Sequence, residues 1–390
     1  MKKLLAMVLA LVMTLSLAVS ASAFKDDKDV SADYAEAVAV LNGMDVFKGY
    51  EDGSFKPQGN ITRAEVATII YRIYTGDVAK NDKSGLYSTY NKFSDMTGAG
   101  WAAGYIGYCA NAELVKGYPD GTFKPSGNVT GYEVLAMIRR AVGYDKNGEF
   151  SGADWSLNVA KYAEQLGVLK NVAKTTNLGA PATRELVAEI LFRAIQQPMV
   201  TYTPAFGYVT DKVANIAQNT LAKKNFNLDS KDSEDKWGRP STKWYNTKTS
   251  KTYAEVVATP DASYNVATAQ CDICTALGEK TSAKIVETYT NGVKSTSPVT
   301  YKATATKDTV GAQGEQIEFY EVKDGYRLVI IDTYLAQVDK VVEGETDKSG
   351  HVTQDDYIKM TAFAPSGAKF ASPIYAEGND YAKDAYVLVN

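Results

Sequence analysis

Apolar residues recur at helical spacing three times in the first half of the chain. Val66, Ile69, Ile70 and Ile73 form one stripe, Val134, Met137, Ile138 and Ala141 a second, and Val187, Ile190, Leu191 and Ala194 a third, and a 3.6-residue period predicts an amphipathic helix at each. Ahead of the first two stripes stand Thr62-x-x-Glu65 and Thr130-x-x-Glu133, the spacing at which Thr and Glu satisfy each other's backbone amides at a helix start. A preceding helix is predicted from Tyr34 to Asp45, with Val38 and Leu41 inward, and in the second copy around Ile106 and Cys109. Val213, Ile216, Ala217 and Leu221 predict one more helix, and Asp229 to Arg239 reads as a polar loop. From about Tyr253 β-branched and aromatic residues dominate. Hairpins are predicted at Asn291-Gly292 and at Asp324-Gly325, the latter between Ile317, Phe319 and Leu328, Ile330. The final run from Tyr386 to Asn390 reads either as a last strand or as the cut end of a longer parent.

The helical segments are copies of one another. Tyr50-Glu51-Asp52-Gly53-Ser54-Phe55-Lys56-Pro57 returns as Tyr118-Pro119-Asp120-Gly121-Thr122-Phe123-Lys124-Pro125, and Gly59-Asn60-Ile61-Thr62 as Gly127-Asn128-Val129-Thr130. A third, degenerate copy runs from about Asp154 to Gln196. In each full copy Gly49 or Gly117 is read as the helix stop, followed by a tight D-G turn. One helix-loop-helix unit of this size cannot bury its apolar face alone, so the three copies are expected to pack into one helical body. The reading divides the chain into a leader at 1–23, repeats at 24–86, 87–150 and 151–206, and a helix plus β-rich region at 207–390. Its fold class is α+β multidomain, all-α first and mainly β after.

The first residues change where folding begins. Lys2 and Lys3 precede an apolar run from Leu4 to Val19, and Ala21-Ser22-Ala23 supplies a small-residue cleavage site, the pattern of a secretory signal peptide. No later segment is apolar enough to span a bilayer, so export without membrane insertion is expected. A formal charge of −4 and a pI near 5.4 lack the basic footprint of a nucleic-acid binder. Three cysteines are too few for a disulfide scaffold. Cys271 and Cys274 form one C-x-x-C, read as two partly buried thiols or one bridge, with a redox or half-metal site as the alternative.

The run Gly49-Tyr50-x-Asp52-Gly53-x-Phe55-x-Pro57 followed by Ile61-Thr62-Arg63-Ala64-Glu65 closely resembles the S-layer homology (SLH) repeat, and the likeness covers roughly residues 24 to 197. The C-terminal half, including Trp237-Gly238-Arg239-Pro240, bears a looser likeness to the β-rich regions of clostridial-type S-layer proteins. The resemblance implies a pseudo-threefold helical spindle whose grooves hold an anionic, often pyruvylated, secondary cell-wall polysaccharide, on a secreted protein of the cell wall. It points to Arg63 and Arg184 as readers of the acidic group, since a guanidinium and free backbone amides at a helix start can converge on one carboxylate. The alternative for both is a solvated arginine, although a cation in a first helical turn opposes the helix dipole. Gly49 and Gly117 line the groove in the family, while their local reading is relief of a backbone angle. Trp101 and Trp155 are ligand platforms or core, and core is favoured because each precedes an inward-facing stripe.

The copies are unequal. The second has Thr130-Gly131-Tyr132-Glu133 in place of the T-R-A-E run, and the third keeps Arg184 but lacks the Gly-Tyr-x-Asp-Gly loop. Anchoring is therefore expected to rest on Arg63, with Arg184 second. Asp229, Asp232, Glu234 and Asp235 could take calcium but lack a recognised loop spacing, so no metal site or cofactor is assigned. The β-rich half is read as structural, for display or for self-association into a surface lattice. The rival is a wall-anchored hydrolase. Against it, the single histidine, His351, excludes His-rich zinc chemistry, and G-x-S-x-G is absent. No catalytic residue is named.

Overall fold

The computed structural model describes residues 19–20 and 24–389 apart from 80–81, 91, 211–218, 266–270, 296, 304–308, 313, 344, 347–351, 355–356, 364–368, 370–373 and 378–380. The expected leader thus lies outside the described residues except for Val19–Ser20, as do His351 and the helix read over Val213, Ile216 and Ala217. Among the described residues the chain mixes α-helices with several sheets. It divides into two compact units, one of Leu17–Lys231 with Thr242–Val256, the other including Asp232–Ser241 and Val257–Asn390.

The first unit is built on six helices: α1 (Ala32–Gly43), α2 (Arg63–Thr75), α3 (Ala103–Asn111), α4 (Gly131–Ala141), α5 (Trp155–Gln165) and α6 (Arg184–Ile195). Both expected capping boxes are formed, at Thr62/Glu65 and Thr130/Glu133, and Thr183 caps α6 through Leu186 N. The three predicted stripes are buried to within a few per cent of fully, together with Val38, Leu41, Ile106 and Cys109, in a single core that all three copies share. Helix α2 packs on α3, α4 on α5, and α6 returns to α1. The extended residues ahead of each second helix pair in the same order: Thr62 with Asn128, Thr130 with Pro181, and Thr183 with Asn60.

The first helix of each copy ends earlier than its glycine suggests. Helices α1 and α3 stop at Gly43 and Asn111, and the chain turns left-handed at Asp45 (φ 61°) and Glu113 (φ 59°). Gly49 and Gly117 serve close packing instead. A Cβ on Gly49 would lie 2.4 Å from the Phe24 ring and 2.7 Å from Ser54 O, and on Gly117 it would lie 2.6 Å from both the Phe93 ring and Thr122 O.

Around the expected boundary at 206 the chain forms a hairpin of β1 (Val200–Thr203) and β2 (Gly207–Thr210). Val200 N donates to Val142 O at 2.9 Å and Tyr208 Oη to Glu149 at 2.7 Å, so the hairpin closes the end of α4. A short helix α7 (Leu221–Phe226) begins at the predicted Leu221, and Asn225 Nδ2 caps α2 through the carbonyls of Ile73 and Tyr74. Of the stretch read as a loop, Asp229–Glu234 is instead part of a strand, β3 (Leu228–Glu234), while Asp235–Arg239 is the turn that leads to its partner β4 (Pro240–Asn246), itself beside β5 (Thr252–Val257). Its polar side chains hid the strand from a hydrophobicity pattern. Asp229 pairs with Lys223 at 2.6 Å and Asp235 with Arg239 at 2.7 Å, so these acids already face cations.

In the second unit β6 (Ala262–Asn265), β7 (Ser282–Thr290), β8 (Val293–Ser295), β9 (Val299–Lys302), β10 (Glu315–Val322) and β11 (Gly325–Asp332) form one sheet in the order β8-β7-β11-β10-β6, with β9 also on β7. Only β7 and β11 run parallel within it. Both predicted hairpins form. Asn291 and Gly292 take φ of 49° and 81°, as a type I′ turn requires, and Ile317 faces Ile330 while Phe319 faces Leu328. Both faces of the sheet are covered, because Ile317, Phe319 and Leu328 join one cluster and Tyr320, Val329 and Ile331 another. Trp237 packs on the second cluster, and Gly238 (φ 83°) lies so close to the Tyr289 ring that a Cβ would be 1.9 Å from it. A further sheet orders β12 (Tyr334–Val342), β13 (Tyr357–Phe363), β14 (Ile374–Glu377) and β15 (Tyr386–Val389) as β14-β13-β12-β15, so the terminal apolar run is a strand.

Cys271 and Cys274 form no disulfide and are buried to 1% and 4% exposure, Cys274 lying in a short helix α8 (Ile273–Ala276) with its Sγ 3.6 Å from Tyr301 O. Burial pushes the Cys271 thiol up to about 11, which leaves little thiolate near neutrality. Neither thiol is expected to react with iodoacetamide at pH 8 until the chain is unfolded; stoichiometric native labelling, read by mass spectrometry, would contradict this placement.

Candidate functional site

The motif residues of the repeats converge at the joints between copies. Arg63 opens α2 but points into the loop of the second copy, where it is 3% exposed. Its Nε donates to Phe123 O at 2.7 Å, Nη2 to Lys116 O at 3.0 Å and Nη1 to Glu133 Oε1 at 2.8 Å. The rings of Tyr118 and Phe123 flank the guanidinium, each 4.6 Å from it. Arg184, 2% exposed, repeats this from the third copy into the first: Nε to Phe55 O at 2.6 Å, Nη2 to Lys48 O at 3.0 Å and Nη1 to Glu65 Oε1 at 3.3 Å, over the ring of Tyr50 at 4.4 Å. The Tyr and Phe of the G-Y-x-D-G-x-F loop thus form a slot for the arginine of the neighbouring copy. The capping glutamate serves both sides, with Oε2 on its own helix start and Oε1 on that arginine and on Tyr50 or Tyr118. Burial and the bond to Glu133 push the Tyr118 hydroxyl up to about 12, which keeps it a donor.

The free amides expected beside Arg63 are occupied. Arg63 N donates to Gly127 O and Ala64 N to Pro125 O, and in α6 Arg184 N and Glu185 N donate to Gly59 O and Pro57 O. Glu185, which in the third copy stands one place earlier than the capping glutamates of the other two, is likewise engaged, accepting from Ser31 N, Ser31 Oγ and Gln58 Nε2. The two departures of the second and third copies are halves of one joint. The arginine missing at Gly131 would have reached the loop that the third copy lacks, and Leu178 fills the space, 2.8 Å from where a Cβ on Gly131 would lie.

Beside the Arg184 slot an open cleft of about 990 Å³ is lined by Gly49, Tyr50, Asp52, Glu65, Arg72, Trp101, Ser126 and Arg184, among others. Trp101 is 65% exposed, which corrects the core reading. It lies on a 3-10 turn (Gly100–Ala102) one residue off the inward phase of Ala102, Ile106 and Cys109, and only its edge meets Tyr105. Arg72 donates to Val46 O at 3.1 Å, and no carboxylate of the described residues is within ion-pair distance of it. Asp52 is held ionised, down to about 2, by the hydroxyl and amide of Ser54.

The equivalent places in the other copies carry different side chains. In the second copy Tyr132 stands where α2 has Ala64 and meets the half-buried Trp155 edge-on at 6.4 Å, while Arg140 is bound to Asp145 at 2.6 Å. In the third, Glu185 takes that place and Arg193 is held by Glu189 and Glu36. Gly49 and Arg184 border the open cleft, whereas beside Gly117 and Arg63 the matching arginine is paired with a carboxylate.

A further pair was missed by reading the repeats only from the glycine onward. Asp26 caps the amides of Phe55 and Lys56, and Asp95 those of Phe123 and Lys124, at 2.7–2.8 Å. Phe24-x-Asp26 and Phe93-x-Asp95 carried the signal, a short F-x-D returning one residue off the spacing of the loop motif.

The S-layer homology domain model matches residues 23–67 and 92–135. The chain is 29% identical over 239 residues to the middle cell wall protein of Brevibacillus brevis, covering 60% of this chain and 22% of that protein. It is 28% identical over 235 residues to the surface layer protein of Brevibacillus choshinensis, covering 60% and 20%. The cellulosome-anchoring protein of Acetivibrio thermocellus is 36% identical over 134 residues, covering 34% of this chain and 28% of that protein. The chain thus spans about a fifth of the length of the first two relatives. Among the described residues no helix is long and apolar enough to cross a membrane. The paired repeats, their joints and the matched model identify residues 23–67 and 92–135 as S-layer homology repeats, in a chain similar to S-layer and cell-surface proteins.

Proposed function

We propose that the six helices form the pseudo-threefold spindle of the family and that its open cleft holds an anionic secondary cell-wall polysaccharide, fixing the protein to the wall. The observation that carries this reading is the inequality of the three positions: among the described residues, one alone combines an exposed indole with an arginine that has no carboxylate within ion-pair distance, Asp82 feeling its charge only from further off. An indole face suits the apolar face of a sugar ring, and a guanidinium fork suits an acidic substituent such as a pyruvyl carboxylate. Arg72 is the reading cation and Trp101 the platform, while Gly49 borders the cleft with its Cβ side packed against Phe24. Arg184 contributes its edge to the wall of the cleft, and Arg63 acts by holding the first two copies together. The β-rich unit is structural in this reading, for display or lateral association.

Arg72→Gln is expected to weaken binding of the exported chain to isolated wall polysaccharide about tenfold or more, the worth of one charge-assisted hydrogen bond. Exposed Lys161→Gln on α5 is expected to leave it unchanged. Walls stripped of the secondary polysaccharide should no longer sediment the protein. Retained affinity in Arg72→Gln, or retained sedimentation on stripped walls, would sink the assignment.

A further inference from the structure

Phe24 is built into the first repeat by its ring and by its backbone nitrogen. The ring stacks on Phe55 at 5.1 Å and occupies the space left by Gly49, and the nitrogen lies 3.3 Å from Asp27 Oδ2. The second copy makes the same turn from an internal segment, with one difference. Phe93 stacks on Phe123 at 5.2 Å and Asp95 caps the loop as Asp26 does, but the position of Asp27 is held by Met96, 6% exposed. The turn therefore accepts a buried apolar side chain, and the first copy places a half-buried carboxylate there. Burial pushes that carboxyl up to about 6, with Asp26 beside it adding to the rise against the bond from Phe24 N. Asp26 itself is occupied by the loop amides, and the neighbouring Lys25 and Lys28 are exposed, the stem of Lys25 lying along Gly53. A carboxylate in such a place is favourable when a cation faces it.

Leader removal supplies one. Hydrolysis of the Ala23–Phe24 peptide bond leaves a carboxylate on the leader and turns the Phe24 nitrogen from an amide into an α-ammonium. We propose that Asp27 is the built-in acceptor of this new amino terminus, so that cleavage of the leader completes the turn that seats the loop of the first repeat. The proposal rests on leader removal at Ala23 and is independent of what the cleft binds. The ammonium and Asp27 form a local ion pair; Phe24 is held at one end by its ring and at the other by its charge.

A double-mutant cycle tests it on the chain 24–390, released from a fusion so that Phe24 is its first residue. It is compared with the same chain carrying a preceding Ala-Ser-Ala, each with Asp27 and with Asp27→Asn. Hydrogen-exchange protection of the Phe55 and Lys56 amides is the readout. The extension is expected to lower protection about fivefold when Asp27 is present and to have no effect in Asp27→Asn. An equal loss in both backgrounds, or none in either, overturns the pair. Mass spectrometry of the exported protein reads the cleavage separately: a first residue of Phe24 supports the proposal, and any other first residue overturns its link to processing whatever the cycle shows.

Discussion

Arg184→Ala is expected to destabilise the helical unit by about 3–5 kcal/mol, the cost of breaking a buried ion pair by removing one partner. The substitution strips three donors at once from Phe55 O, Lys48 O and Glu65, and it empties the slot between the rings of Tyr50 and Phe55. Glu65 would retain its own helix start through Oε2, so α2 should persist while the joint between the third and first copies loosens. Arg184→Lys is expected to recover only part of the loss, because an ammonium cannot span three acceptors set in the plane of a guanidinium. Thermal unfolding of the full chain followed by circular dichroism is the check. A melting temperature unchanged by Arg184→Ala would mean that the joint is held by the backbone bonds and apolar contacts alone.

Trp101→Ala is expected to do the opposite, leaving the fold and removing the ligand. With 65% of its surface exposed, the indole contributes little to the core, and its edge contact with Tyr105 at 6.3 Å is the main packing lost. As a platform it would carry a central share of the contact, of order 2 kcal/mol, or about thirtyfold in affinity. Titration of isolated wall polysaccharide against the variant, beside its unfolding curve, separates the two effects. Binding within twofold of the parent would remove Trp101 from the site. Trp155→Ala should behave conversely, since that indole is half-buried against the shared core.

The helices were legible because period and cap agree at each of them. Thr62, Glu65 and the stripe from Val66 state one helix start three ways, and the structure keeps all three. Hairpins carried by Asn291-Gly292 were equally plain, since only residues tolerant of positive φ fit the turn. What escaped was pairing across copies. A sequence shows Arg63 at a helix start but not that the loop of the next copy closes over it, so an arginine engaged by three protein acceptors reads like one facing solvent. Trp101 was misplaced by a single step of helical phase. Strand β3 was hidden because polar side chains on a strand leave no alternation to read. Arg72 and Arg140, at matching positions, differ in their partners, Val46 O for the first and Asp145 with Phe150 O for the second, all outside the motif.

Of the two arginine clamps, Arg63 joins copies adjacent in sequence and Arg184 joins the third copy back to the first, and chain connectivity gives the second clamp the greater task. The clamped joint between the third copy and the first joins segments more than a hundred residues apart, as the bond from Arg184 to Phe55 O does, whereas the second and third copies are neighbours in sequence and meet without a clamp. Bringing distant segments together costs conformational entropy that grows with the loop closed. Leu178 against Gly131 serves between the second and third copies, whereas a charged fastening stands both between the first two copies and at the joint where diffusion would otherwise separate distant segments. A circular permutant that opened the chain between the second and third copies would reverse that order, leaving the weakest seam to close the ring.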